Sequence, residues 1–305
     1  MEDNSNSSEF RSGFVSIIGR PNVGKSSLSN RVVGTKTSIV TRKPQTTRNR
    51  ITAIRDVKDG QIIFIDTPGI HRTNTALGKA MVQSALKTYH DADILLFLTD
   101  SHSGIEEEDR DIIDKLKGLK HTKVFLVINK IDDVKDRDIL LKVISAYNEL
   151  YPFEDTFPIS AMTGENVDNL LEKIRAALPE GPQYFPEGTK TDQPEKFIMA
   201  EFIREQVILF TGEELPYVTA VGIDDIQAGK TEGVKIVQAT IYVEKDSQKG
   251  IIIGKNGSML KQIGKGARME MEKRFGGQIY LRLFVKVKKN WTKSYKGLYD
   301  FGYSD

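Results

Sequence analysis

Cysteine is absent from all 305 residues, which excludes a disulfide framework, a thiolate nucleophile and a cysteine-ligated metal. The four histidines are scattered without metal-ligand spacing, so a histidine-based metal centre is excluded as well. Long apolar runs are missing too. The longest, such as Ile94–Leu98 and Val124–Ile128, fall far short of the roughly 20 residues that a membrane-spanning helix needs. The polar, acidic start Met1–Glu9 lacks the basic and apolar stretches of a signal peptide, and residues 1–12 are expected to form a disordered tail. No solenoid-type repeat is present. What remains is a globular chain expected in the cytoplasm, with a length that suits two domains.

Charge is present in both signs but unevenly placed. The net of +2 combines 25 Lys+Arg against 27 Asp+Glu in residues 1–189 with 19 against 15 in 190–305. Within 245–296 alone, 14 basic residues face 3 acidic ones, interleaved with Phe275, Tyr280, Phe284, Trp291 and Tyr295. A basic stripe with aromatic interleaving suits nucleic acid. A solvated basic face or a patch for anionic lipid is the alternative on charge alone.

From Phe14 to Leu178, short β-rich apolar runs alternate with helical stretches. Strands are expected at Phe14–Gly19, Gln61–Asp66, Asp93–Asp100, Thr122–Asn129 and Thr156–Ile159. That spacing implies βα units, a mostly parallel sheet and ligand sites at the carboxyl ends of the strands. Residues 13–180 are assigned to this α/β domain. Residues 181–194, rich in proline and glycine, are expected to be the linker, and 195–305 a smaller α+β domain. In the second part, helices over 195–211 and 258–275 flank strands over 218–225 and 235–244, and a strand over 278–288 follows.

Four fragments carry the chemistry of the first domain. Gly19-Arg20-Pro21-Asn22-Val23-Gly24-Lys25-Ser26 is a GxxxxGKS pattern between an expected strand and a helix starting near Ser27. Glycines let backbone N–H groups wrap phosphates, Lys25 reaches the β and γ oxygens, and the Ser26 hydroxyl ligates Mg²⁺. Asp66-Thr67-Pro68-Gly69 follows the run Ile62–Ile65, where a metal-associated Asp66 and a γ-phosphate-sensing Gly69 belong; alone it reads as a plain turn. Asn129-Lys130-Ile131-Asp132 ends another strand. The Asp132 carboxylate can accept from guanine N1–H and N2–H₂ together, Asn129 can meet the O6/N7 side, and Lys130 can pack over the ring. Ser160-Ala161-Met162 follows the fifth expected strand, where a backbone amide could support O6. Their order along one sheet edge points to GTP, with GDP as product.

At these residues the chain resembles the TrmE-Era family of P-loop GTPases, and within it the Era type, through GRPNVGKSSL, Pro44-Gln45-Thr46-Thr47-Arg48, DTPGI and NKID. The resemblance covers nearly the whole length except the first dozen residues. It places the first switch loop at Gln45–Asn49 and implies a Mg²⁺-contacting threonine there, Thr47 first and Thr46 second. It also implies hydrolysis with Lys25, Thr47 and Gly69 as catalytic groups and a nucleotide site that includes Val23, Ser27 and Ile70. Ile70 stands where Ras-like enzymes carry the glutamine that orients the attacking water. The family shares this apolar residue and relies on backbone groups and, in several members, on a K⁺ ion contacted by the P-loop asparagine, here Asn22; a loop-stabilising Asn22 is the alternative.

In the second domain, Gly254-Lys255-Asn256-Gly257 is a GxxG sequence inside the basic segment and ahead of the long amphipathic helix. This order resembles a type II KH domain, whose GxxG loop clamps about four backbone nucleotides of single-stranded RNA. Lys261, Lys265 and Arg268 could extend the basic track. Trp291 either continues it or anchors the C-terminus. The resemblance further implies that the RNA is the 3′ end of 16S ribosomal RNA, that the process is small ribosomal subunit assembly, and that some of this monomeric protein touches the cell membrane peripherally. The rival expectation is an RNA-binding or membrane-associated adaptor with a vestigial nucleotide site, against which the intact Lys25, Ser26, Asp66, Gly69 and Asp132 argue.

Overall fold

The structure is a computed structural model describing residues 9–119, 122–212 and 214–303. Residues 1–8 of the expected disordered tail lie outside the described residues. The first strand already begins at Arg11, three residues ahead of the expected Phe14, because Arg11 and Ser12 pair with Gly60 and Gln61.

The first sheet has six strands. In chain order its elements are β1 (Arg11–Ile18), α1 (Lys25–Val33), β2 (Ile51–Val57), β3 (Gly60–Asp66), α2 (Ala76–Asp91), β4 (Ile94–Asp100), α3 (Glu107–Leu116), β5 (Lys123–Asn129), α4 (Arg137–Leu150), β6 (Asp155–Pro158) and α5 (Val167–Ala177). The spatial order is β2-β3-β1-β4-β5-β6, parallel throughout except for β2, which runs antiparallel to β3. The parallel strands are buried on both faces, as such sheets require. On β4, Ile94, Leu96 and Leu98 face one core while Leu95 and Phe97 face the other. β2 is a strand that the sequence pattern does not signal, since Ile51-Thr52-Ala53-Ile54-Arg55-Asp56-Val57 lacks clean alternation.

The proline-rich stretch after α5 is not a free linker up to residue 192. It lies along the open edge of β2 and the start of β1. Ile54 N donates to Lys190 O at 2.9 Å, the Thr191 hydroxyl donates to Thr52 O at 2.6 Å, and the Gln61 side chain exchanges hydrogen bonds with both backbone groups of Phe185. The Ser12 hydroxyl donates to Pro182 O at 2.6 Å, and the Tyr184 ring sits 5.1 Å from that of Phe14. Prolines cannot complete a ladder, but the carbonyls between them can accept from an edge strand.

The second sheet is smaller: α6 (Glu195–Phe210), α7 (Leu215–Val218), β7 (Ala220–Ala228), β8 (Val234–Val243), α8 (Asp246–Ile253), α9 (Ser258–Phe275), β9 (Gln278–Val287) and α10 (Tyr295–Asp300). β7 pairs with β8 antiparallel and β8 with β9 parallel. Ile263, Ala267 and Met271 of α9, with Phe202 and Ile203 of α6, bury one face of this sheet. This is the expected type II KH order. Trp291 is an anchor: it is buried and donates from Nε1 to Val218 O at 2.9 Å.

Two compact units result. Among the described residues, the first comprises those up to Thr37, Arg50–Arg72 and Gln83–Asp192; the second comprises Ser38–Asn49, Thr73–Val82 and those from Gln193. Two stretches that the sequence assigns to the first domain therefore group with the second unit. Within that unit Ile39 joins the α6 and β8 core, and Leu77 and Met81 pack with Ala220 and Trp291. The buried Arg48 donates to Thr219 O at 2.8 Å and Pro216 O at 2.5 Å, while Arg204 of α6, paired with Glu201 at 2.6 Å, donates to Thr46 O.

Candidate functional site

The loop from β1 to α1 owes its shape to backbone conformations that side chains resist. Gly19 and Gly24 have φ of 149° and 103°, and Asn22 between them adopts the left-handed region at 66°. A Cβ at Gly19 would run into Leu98 O, and one at Gly24 into the Asn129 side chain. The loop thus curls tightly into the first turn of α1, with Ser26 and Ser27 half-buried there. Lys25 is buried and its ammonium donates to Gly19 O at 3.0 Å and Arg20 O at 2.7 Å. Burial pulls this ammonium down to about 8, against the attraction of the Asp66 charge. Asp66 itself ends β3 and is fully buried.

Thr67 fastens the next turn by donating from its hydroxyl to Ile17 O at 2.8 Å. Pro68 and Gly69 follow, both buried; a Cβ at Gly69 would stand 2.9 Å from Pro21 N, so glycine keeps this turn against the phosphate loop. Ile70 N donates to Gly19 O at 3.3 Å, and the Ile70 side chain packs into the core with Ile18, Ala85 and Phe97.

Asn129 has two partners within the unit. Its Nδ2 donates to Val23 O and its Oδ1 accepts from Ala161 N, both at 2.9 Å. The amide therefore braces the phosphate loop against the Ser160–Met162 loop, with the Ala161 N–H engaged by it. Ser160 is buried and accepts from Thr163 N, while Met162 is 71% exposed. Ile131 N donates to Ile159 O at 3.2 Å, which fixes a single 3-10 turn, Ile131–Asp133, and leaves the Asp132 carboxylate exposed. Lys130 has a left-handed φ of 67° and reaches Asp100 Oδ2 at 3.2 Å.

That contact exposes a network the motifs did not signal. Arg20 of the phosphate loop lies 3.6 Å from Asp100 and 3.2 Å from Asp109, and donates to the Ser103 hydroxyl at 2.7 Å. The Tyr147 hydroxyl donates to Asp109 at 2.8 Å. Burial alone would raise the Asp100 carboxyl, but hydrogen bonds from Ser103 and the Lys130 and Arg20 charges outweigh it and hold the group at about 2. The one available signal was positional: Asp100 ends a strand on the same sheet edge.

The structure brings Lys25, Ser26, Asp66, Gly69, Asn129, Asp132 and Ser160 onto one unit, at the carboxyl ends of its strands. Thr47 is not among them. It lies in the second unit and is buried there.

In the second unit the GxxG loop joins α8 to α9. Gly254, Asn256 and Gly257 have φ of 72°, 52° and 75°, and Lys255 and Asn256 are exposed at its tip. Lys261, Lys265 and Arg268 are exposed along α9, and Arg268 lies 3.9 Å from Glu272.

Comparison with known proteins agrees with this geometry. A family model described as a 50S ribosome-binding GTPase matches residues 14–130, and a KH domain model matches residues 214–292. GTPase Era from Geobacter metallireducens is 51% identical over 304 residues, covering 100% of each chain. GTPase Era from Clostridioides difficile is 47% identical over 296 residues, covering 97% of this chain and 99% of its own. Among solved structures, Era in complex with MgGDPNP and nucleotides 1506–1542 of 16S ribosomal RNA superposes with a TM-score of 0.93 at 38% identity, covering 97% of this chain and 100% of that one. A variant of Aquifex aeolicus Era bound to GDP and AlF₄⁻ gives the same TM-score, identity and coverage. With this similarity running through both domains, the chain belongs to the Era family of GTPases.

Proposed function

We propose that the protein is a GTP-hydrolysing switch that binds the 3′ end of 16S ribosomal RNA through its KH domain and acts in small ribosomal subunit assembly. The observation that carries this reading is the coexistence, in one chain similar end to end to an RNA-bound Era, of an intact phosphate loop and a basic GxxG unit. The functional boundaries are placed at 13–180 for the GTPase domain and 195–305 for the KH domain. Action in the cytoplasm as a monomer, with some peripheral membrane contact, completes the reading.

The residues present fit GTP and Mg²⁺. Gly19 and Gly24 allow no Cβ against Leu98 O and the Asn129 side chain, which keeps the tight loop whose backbone N–H groups suit phosphates, and the Ser26 hydroxyl with the buried Asp66 carboxylate supplies hard oxygen donors suited to Mg²⁺. Mg²⁺ would supply neutralisation of the charge that develops on the phosphates. Lys25 would bind those oxygens, Asp132 would accept from the guanine edge, and Asn129 would hold both loops in register. Because Ile70 is packed into the core, the attacking water would be oriented by backbone groups, with Gly69 N–H on the γ-phosphate. A K⁺ ion at Asn22 is part of this proposal.

Hydrolysis by the purified chain, with and without a short RNA of the 16S 3′ end, in K⁺ and in Na⁺, tests the reading. Stimulation by the RNA and a preference for K⁺ are expected. RNA binding without turnover in any condition would overturn the switch.

A pH dependence follows from Lys25. With a folded value near 8 and an unfolded one near 10.5, charging this buried lysine costs the free protein stability below pH 8. That cost lifts between pH 8 and 10.5, where the unfolded chain holds the extra proton, so stability of the nucleotide-free unit rises there. GTP affinity, which needs the ammonium, falls over the same window by up to about tenfold per pH unit. Nucleotide titrations between pH 7 and 9.5 would show it, with proton uptake on binding in calorimetry. A flat affinity would remove Lys25 from the phosphate contact.

A further inference from the structure

In the second unit α6 and α9 cover one face of the sheet, and the opposite face is covered toward α10, where Tyr242 packs with Leu298 and Phe301. Along β9, Ile279, Leu281, Leu283, Val285 and Val287 pack toward α6 and α9. The alternate residues Tyr280, Arg282, Phe284 and Lys286 are all exposed on the opposite face, Tyr280 by 61% and Phe284 by 50%. Their cross-strand neighbours on β8 are Ile236, Gln238, Thr240 and Tyr242.

Two exposed aromatic rings two positions apart on one strand face stand about 13 Å from each other, with a cation beside each. A sheet needs neither ring there for stability, since exposed aromatics contribute little burial. No acidic residue occurs in Gln278–Val287. On β7, the acids nearest in the sheet are engaged: Asp224 accepts from the Thr240 hydroxyl and Asp225 from the Gln227 amide, both at 2.7 Å. The β9 row of this face, Tyr280, Arg282, Phe284 and Lys286, is thus cationic and aromatic, with Asp224 as a carboxylate reached through Thr240. Pairing of two copies along the β9 edge would bring Arg282 and Lys286 near their like-charged counterparts, which edge cations oppose. Single-stranded nucleic acid fits both features, because bases stack on aromatic rings of a sheet while phosphates meet the cations.

We propose that the open face of β9 is a second single-strand RNA contact, separate from the GxxG loop, in which Tyr280 and Phe284 each stack one base and Arg282 and Lys286 meet the adjoining phosphates. It rests on the reading of the second unit as an RNA-binding domain, and it extends the bound strand beyond the four nucleotides a GxxG loop clamps.

The test uses the full chain and fluorescently labelled RNA of four and of twelve nucleotides from the 16S 3′ end, read by anisotropy. Tyr280→Ser with Phe284→Ser is expected to weaken the twelve-nucleotide RNA roughly tenfold to a hundredfold at each salt and to leave the tetranucleotide unchanged. Tyr280→Phe with Phe284→Tyr keeps both rings and is expected to keep the affinity, which separates stacking from a folding defect, as does an unchanged melting midpoint. Arg282→Gln with Lys286→Gln is expected to reduce the slope of log affinity against log salt by about 1.4. An unchanged twelve-nucleotide affinity in the serine variant overturns the proposal. So does loss of binding to phosphatidylglycerol vesicles in place of RNA, which would make the face a lipid contact. Lys255→Asp with Asn256→Asp should weaken both RNAs. If it weakens neither, the KH reading itself fails, independently of β9.

Discussion

Asn129→Ala is expected to lower both stability and nucleotide affinity. Its amide is buried, donates to Val23 O and accepts from Ala161 N, each at 2.9 Å. Truncation leaves a carbonyl and an N–H unsatisfied in a dry place, at about 1–3 kcal/mol each. Even about 3 kcal/mol in total lowers the thermal midpoint of a unit this size by roughly 6–12 °C. The freed phosphate loop and the freed Ser160–Met162 loop must then be ordered by the ligand, so GTP affinity should fall roughly tenfold to a hundredfold. Asn129→Asp should not rescue it: a carboxylate still accepts from Ala161 N but faces Val23 O with a second acceptor. Calorimetric melting of the free protein, beside nucleotide titration, checks the result. An unchanged melting midpoint would show that the brace is not what holds the two loops.

Asp132→Ala is expected to act on binding alone. Its carboxylate is exposed on the turn Ile131–Asp133, so truncation removes no buried contact and the melting midpoint should move by less than about 2 °C. Two charge-assisted hydrogen bonds to the guanine edge, at about 1.5–3 kcal/mol each, disappear. GTP affinity should fall on the order of a hundredfold to ten thousandfold. ATP affinity should not fall in step, since adenine presents an acceptor at N1 where guanine presents a donor. Competition titrations with both nucleotides measure the ratio, and equal losses for the two would remove Asp132 from base recognition. The two variants would thus separate two residues of one motif, the buried Asn129 by its melting midpoint and the exposed Asp132 by its nucleotide preference.

The sequence was most legible where the chemistry is contiguous. GxxxxGKS carries its own strand, loop and helix signals, and α9 spans 258–275 as its periodicity indicates. Features made by distant partners were illegible. Asn129 meets Val23 and Ala161 across sequence separations of 106 and 32, and an amide in a strand-end motif gives no hint of which carbonyl it will find. Arg20, Asp100 and Asp109 come from three different segments, and only the folded sheet edge puts them together. Gln45–Asn49 is expected as a switch loop; the grouping of Ser38–Asn49 with the second unit depends on Arg48 finding the Pro216 and Thr219 carbonyls and on Arg204 finding that of Thr46. β2 was missed for a related reason, since its pairing with β3, not its own pattern, makes it a strand.

The proline-rich stretch along β2 has one more consequence. A domain cut after Glu180, where composition suggests that the fold ends, would lose the carbonyl of Lys190 that Ile54 N uses and the hydroxyl of Thr191 that caps Thr52 O. It would present a bare strand rich in Ile, Thr and Val to other copies of itself, the arrangement from which edge-to-edge aggregation grows. A chain carried on through Asp192 keeps its shield. What composition marks as a flexible tether serves the isolated domain as its guard against self-association.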